Sequence, residues 1–135
     1  MATILVIEDD PSFRDLLALH LHAAGHTVRT ASDPEIGLRS FLKEAPDIIL
    51  LDLDLPYLSG FEVLWALRSD EASKKIPVIV ITGRADDETY DRCRKMGVDG
   101  FCAKPLKSEE LLGAIVKALA GRAEKGQTPS SGAGR

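Results

Sequence analysis

Apolar residues in this chain come in short unbroken runs, separated by longer stretches where they recur every three or four positions. The runs are Ile4-Leu5-Val6-Ile7, Ile48-Ile49-Leu50-Leu51 and Val78-Ile79-Val80-Ile81. Four consecutive apolar residues bounded by polar and turn residues predict a strand buried on both faces, which belongs inside a parallel sheet. Thr27-Val28-Arg29-Thr30-Ala31 alternates apolar with polar, so it predicts a more exposed strand at an edge. Gly100-Phe101-Cys102-Ala103 reads as a short fifth strand.

The intervening stretches predict five helices. Asp10 caps the first, with Pro11 at its opening position, and Phe13, Leu16, Leu17, Leu21 and Ala24 fall on one face until Gly25. Ser32 and Glu35 have the spacing of a capping box for the second, with Ile36, Phe41, Leu42 and Ala45 expected on its buried side before Pro46. Ser59 and Glu62 repeat that spacing ahead of the third, where Phe61, Leu64 and Leu67 face inward and Trp65 reads as amphipathic packing. Asp86, Asp87 and Glu88 open the fourth, where acids suit the helix dipole, and Gly97 closes it. Ser108 caps the fifth, whose Leu111, Leu112, Ile115, Val116 and Leu119 form an apolar stripe. Strands alternating with helices predict an α/β fold: a doubly wound five-stranded parallel sheet in three layers, joined by right-handed crossovers.

Length and composition narrow this further. The 135 residues suffice for one hydrophobic core and are too few for two. Beyond Gly121 the composition shifts to Gly, Ser, Thr, Gln and Pro without periodicity, so a domain over residues 1–121 and a flexible tail or linker over 122–135 are expected. Net charge is −4, and because the last fifteen residues carry three basic groups against one acidic, the rest stands at about −6. That balance disfavours direct nucleic-acid binding by the domain and suits a site that collects a divalent cation. Cys93 and Cys102 read as buried free thiols. His20, His22 and His26 do not share a helix face, so solvated histidines are expected rather than a metal site. No apolar run approaches the roughly 20 residues of a membrane span and no signal-peptide pattern opens the chain, which reads as cytoplasmic.

The strand ends carry the chemistry. The first stops on Glu8-Asp9-Asp10, the third on Asp52 with a loop closed by Pro56 and Gly60, the fourth on Thr82-Gly83, and the fifth on Lys104-Pro105. In a parallel sheet such ends converge at the carboxyl edge, where open α/β sheets bind and react with ligands. Three carboxylates brought together raise one another's pKa unless a cation sits among them, and an oxygen-only set suits Mg²⁺. A hydroxyl and an ammonium beside them can hold two oxygens of a phosphoryl group. The parts describe an aspartate that accepts phosphate.

From Thr3 through Leu119 the chain resembles a response-regulator receiver domain of the two-component, chemotaxis-regulator kind. The matching pieces are Ile4-Leu5-Val6-Ile7-Glu8-Asp9-Asp10, Asp52-Leu53-Asp54-Leu55-Pro56 with Gly60, Val78-Ile79-Val80-Ile81-Thr82-Gly83, and Gly100-Phe101-Cys102-Ala103-Lys104-Pro105, in that order and spacing. The resemblance implies the flavodoxin-like strand order 2-1-3-4-5. It also implies that Asp52 accepts a phosphoryl group from a histidine kinase or a phosphotransfer protein. Glu8, Asp9, the Asp52 carboxylate and the Asp54 backbone carbonyl would hold Mg²⁺, Thr82 and Lys104 would bind phosphoryl oxygens, and Thr82 with Phe101 would form the switch. The partners implied are that kinase and a downstream protein target or fused output domain, with no nucleic acid or membrane, the chain acting as a monomer or a phosphorylation-dependent dimer. A switch of this kind is not an enzyme beyond self-phosphorylation from a phosphodonor and slow self-dephosphorylation.

Two positions vary from the family pattern. Glu8 replaces the commoner first aspartate. Asp54 stands where an uncharged residue is commoner, and it is expected to pair with Arg84 across the mouth of the site. The alternative reading is a haloacid-dehalogenase-like, Mg²⁺-dependent phosphatase with Asp52 as nucleophile and Asp54 as general acid. In that family the motif lies on the first strand and continues differently, whereas Leu55-Pro56 follows here and Glu8-Asp9 come first. A flavodoxin-type carrier fails because Glu8-Asp9-Asp10 would repel a flavin phosphate.

Overall fold

The computed structural model describes residues 1–55 and 59–124, so Pro56 and residues 125–135 of the expected tail lie outside the described residues. Strands β1 (Thr3–Ile7), β2 (Thr27–Ala31), β3 (Ile48–Asp52), β4 (Val78–Thr82) and β5 (Gly100–Ala103) alternate with helices α1 (Pro11–Ala23), α2 (Pro34–Lys43), α3 (Gly60–Ser69), α4 (Asp87–Lys95) and α5 (Ser108–Glu124). All pairings are parallel and the sheet order is β2-β1-β3-β4-β5, as expected.

Alternation within the unbroken apolar runs sends successive side chains to opposite faces, and both faces are covered. Leu5, Ile7, Ile49, Leu51, Val78 and Val80 pack with Phe41 of α2, Val63, Leu64 and Leu67 of α3 and Cys93 of α4. Ile4, Val6, Ile48, Leu50, Ile79 and Ile81 pack with Leu17 and Leu21 of α1 and Leu111, Ile115 and Ala118 of α5. The two cysteines are buried and free, one in each layer.

Several helix details differ from the sequence expectation. Asp33, not Ser32, caps α2, its side chain accepting from the Ile36 N–H at 2.9 Å. Pro34 dictates this, since a proline at the first helical position leaves the preceding residue as the cap. The inward face of α2 is then Gly37 and Phe41, while Ile36 and Leu42 are exposed. Leu16 and Val116 are exposed as well, and Ala118 takes the inward place on α5. His26 is half-buried and its Nδ1 accepts from the Ala2 N–H at 3.2 Å, so it is not simply solvated. Helix α5 continues past Gly121, and Arg122 donates to the Asp47 carbonyl at 2.9 Å. No helix among the described residues is long and apolar enough to cross a membrane.

Gly60 is required by a close approach. A Cβ there would meet the Leu53 Cα at 2.5 Å, so the start of α3 lies directly on the chain leaving β3. That contact closes the loop beyond Asp52.

Candidate functional site

Register sets the site. Asp52 pairs with Ile81 across β3 and β4, and Thr82 pairs with Ala103 across β4 and β5, so Asp52, Thr82 and Lys104 come off neighbouring strands at nearly one level. Glu8 and Asp9 leave β1 on the other side of β3. Asp10 caps α1 as expected, accepting from the Ser12 N–H at 3.0 Å, which turns the chain sharply after the acids.

Asp52 is almost fully buried, and both its oxygens are engaged. Oδ2 accepts from Lys104 Nζ at 2.9 Å and Oδ1 from the Asp54 N–H at 2.8 Å. Glu8 is equally buried; its Oε2 accepts from the Asp10 N–H at 3.1 Å, but its Oε1 has no hydrogen-bond partner. Carboxylate oxygens of Glu8, Asp9 and Asp52 lie within 4.8 Å of one another. Burial, followed by the hydrogen bond that a protonated Glu8 would share with Asp52, pushes the Glu8 pKa up to about 8. Two ionised carboxylates have no proton to share, so the unpartnered oxygen is satisfied only by a proton or a cation. The oxygen-only donors and the unpartnered lone pair fit a hard divalent ion such as Mg²⁺.

Lys104 anchors the opposite side. Burial works against its charge, but the hydrogen bond to Asp52 and the charges of Asp52, Glu8 and Asp54 outweigh it and push its pKa up. Its Nζ also lies 4.9 Å from the ring centre of Phe13, a residue that the sequence places only on the apolar face of α1.

Asp54 departs from expectation. Its Oδ1 accepts from the Thr82 hydroxyl at 3.0 Å, its Oδ2 from the Gly83 N–H at 2.8 Å, and Lys104 Nζ lies 3.4 Å from Oδ2. Arg84, the expected partner, instead donates its backbone N–H to the Thr82 hydroxyl at 3.0 Å. Burial would raise the Asp54 pKa, yet Gly83, Thr82 and Lys104 together hold it below the ordinary carboxylate value. Sequence reasoning missed this because the three donors come from β4 and β5, far along the chain. Phe101 is half-buried and meets Tyr90 of α4 edge-on, with ring centres 5.3 Å apart. Its strand partner is Val80, two residue pairs before the Thr82–Ala103 level and on the same face of the sheet.

A five-stranded doubly wound domain that gathers acids, a hydroxyl and a lysine at the carboxyl edge defines a class of phosphate-handling α/β proteins. The particular family follows from comparison. The profile of the response regulator receiver domain matches residues 4–116, and the chain belongs to that family. It is 38% identical over 125 residues to the DNA-binding dual master transcriptional regulator RpaA of Synechocystis sp., covering 93% of this chain and 52% of the relative. It is 36% identical over 134 residues to the transcriptional regulatory protein AfsQ1 of Streptomyces coelicolor, covering 99% and 58%. The chain thus spans about half the length of these relatives. Among solved structures, the chemotaxis response regulator CheY4 of Vibrio cholerae superposes with a TM-score of 0.82 at 30% identity, covering 88% of this chain and 99% of that one. Family membership favours a signalling switch over the haloacid-dehalogenase reading.

Proposed function

We propose that Asp52 is the phosphoacceptor of this receiver domain. The observation that carries the reading is a buried carboxylate bound by Lys104 and beside a buried, unpartnered Glu8 oxygen, at the end of the central strand. An Asp52 oxygen attacks the phosphorus of a phosphohistidine on a sensor kinase or phosphotransfer protein. The new P–O bond forms as the P–N bond breaks, and its electron pair returns to the donor's imidazole. Lys104, kept charged by its neighbours, offsets charge on the phosphoryl oxygens, and the Thr82 hydroxyl donates to another. Glu8, Asp9, Asp52 and the Asp54 carbonyl would hold Mg²⁺, which when bound supplies neutralising charge to the acids and the phosphoryl oxygens.

The output is a change of protein contact. Thr82 and Phe101 form the bistable element, with Tyr90 as the ring against which Phe101 is set. The described part is not basic, which favours a downstream protein target or fused output domain over direct nucleic-acid contact by this domain. We assign the receiver to residues 1–124, helix α5 carrying it past the expected boundary at Gly121, and residues 125–135 to a tail or linker by their composition, in a cytoplasmic chain that is a monomer or dimerises on phosphorylation. Self-phosphorylation from a phosphodonor and slow self-dephosphorylation are the only reactions expected of the chain itself.

Acetyl phosphate with Mg²⁺ tests the assignment. Wild type acquires an acid-stable, base-labile acyl phosphate, and Asp52→Asn does not. Equal labelling of Asp52→Asn rules Asp52 out as the acceptor. Titration of Mg²⁺ alone shifts the amide signals of Asp9, Asp52 and Leu53, and unchanged signals at millimolar metal would remove the acids from a metal-binding role.

A further inference from the structure

The Asp54 carboxylate engages three donors from two strands: the Thr82 hydroxyl at 3.0 Å, the Gly83 N–H at 2.8 Å and the Lys104 ammonium at 3.4 Å. A hydroxyl, an amide and an ammonium converging on one anionic group form an oxyanion pocket. Two of the three are the groups assigned to phosphoryl oxygens, and Lys104 simultaneously binds Asp52 at 2.9 Å. The pocket beside the acceptor is therefore already filled with negative charge.

We propose that Asp54 is the resident anion of the phosphoryl pocket, holding Thr82, Gly83 and Lys104 in place until a phosphoryl group on Asp52 displaces it. The inference rests on Asp52 being the acceptor. Two anions cannot share these donors: a phosphoryl group brings close to two negative charges, and its approach to the carboxylate at contact distance is repulsive. Asp54 is about one-third exposed, so its side chain can turn out to water when the pocket is taken. The exchange is nearly like for like in hydrogen bonds. Its consequences are two. The pocket is assembled before phosphorylation, with the Thr82 hydroxyl already drawn to an anion. And it selects against weak anions, because only a ligand that outcompetes a tethered carboxylate enters.

Beryllofluoride, which mimics a phosphoryl group on a carboxylate, provides the test. It is titrated with Mg²⁺ into the full chain as wild type, Asp54→Asn and Asp54→Ala, following the amide signals of Leu53 and Gly83, with Asp52→Asn as the blank. Hydrogen bonds to a charged group are worth enough that Asp54→Ala should bind about tenfold or more tightly than wild type, with Asp54→Asn between them. The gain should survive about 0.5 M salt, where a through-space charge effect would be screened. The Gly83 amide proton of the free protein should also move on Asp54→Ala, having lost its carboxylate acceptor. Affinities equal within about twofold, a gain abolished by salt, or an unmoved Gly83 signal would each overturn the inference while leaving Asp52 as acceptor. Absence of binding in every chain that retains Asp52 would instead remove the acceptor reading, and this inference with it.

Discussion

Two buried acids lie at opposite ends of the sheet, and only one belongs to the site. Asp47, just ahead of β3, is fully buried; its Oδ2 accepts from the Thr3 N–H at 2.8 Å, and Arg122 lies 3.3 Å from its Oδ1. Glu8, just past β1, is as deeply buried but keeps an oxygen without a partner. Both are carboxyl side chains and both are buried. What differs is satisfaction: Asp47 spends its lone pairs on the fold, whereas Glu8 holds one in reserve for something the chain does not provide. A buried carboxylate with both oxygens engaged serves the fold, and one with an oxygen to spare can take a ligand there.

The largest effect should come from breaking the spent end. Asp47→Ala strands the Thr3 N–H and takes the carboxylate from beside Arg122, which keeps its bond to the Asp47 carbonyl, and removal of one partner from a buried pair costs about 3–5 kcal/mol. Asp52→Asn at the other end relieves crowding with Glu8 while losing the Lys104 contact. Its change in stability should stay within about 1 kcal/mol of zero, because Lys104 is partly solvated and keeps Asp54. Urea unfolding midpoints of the two variants check this. Equal losses in both would erase the distinction between fold acid and site acid.

Glycines sharpen the same contrast at backbone level. Gly60→Ala, at the site end, drives a Cβ to 2.5 Å from the Leu53 Cα, and backbone that close must shift. We expect a loss of about 1–3 kcal/mol together with displaced Leu53 and Asp54 amide signals. Gly25→Ala, in the turn between α1 and β2, meets nothing within 4 Å but sits at φ +90°. Its cost should be about 1–2 kcal/mol of conformational strain, with Asp52 and Asp54 signals unmoved. If Gly25→Ala disturbs the site as much as Gly60→Ala does, the close approach at Leu53 is not what shapes the loop.

These contrasts mark how far the sequence was legible. The runs Ile4 to Ile7, Ile48 to Leu51 and Val78 to Ile81 announced inner strands because burial on both faces leaves no polar position, and the reactive groups at their ends followed from where parallel strands deliver side chains. Local chemistry was equally readable at Asp10, where cap and proline adjoin. Illegible were contacts whose partners lie far along the chain. Asp47 reads as a polar boundary until Arg122 arrives 75 residues later, and Asp54 reads as a rim acid awaiting Arg84 until Thr82 and Gly83 meet it. The inward face of α2 was misread for a smaller reason. Phe41 faces inward as expected, but the residue that shares its face one turn earlier is Gly37, which lies against the Ile7 side chain and which an apolar pattern does not register.

The smallest expected effect belongs to the spent end again, at His26. Its Nδ1 accepts from the Ala2 N–H, and a protonated ring could not accept there. Burial, followed by the charge of the chain's amino terminus, lowers its pKa from 6.5. The sign follows directly. Below pH 6.5 the unfolded chain takes up a proton that the folded chain still refuses, so stability from the neutral ring is fully present above 6.5 and is lost as pH falls through that value toward the lower folded pKa. One half-exposed hydrogen bond limits the loss to about 1 kcal/mol. Unfolding midpoints of wild type and His26→Gln at about pH 8 and about pH 5 isolate it, since the difference between the two chains cancels the other titrating groups, the raised Glu8 among them. Wild type should lose more stability than His26→Gln on acidification. A larger loss in His26→Gln would mean that the ring accepts its proton more readily folded than unfolded, against the direction that its burial sets.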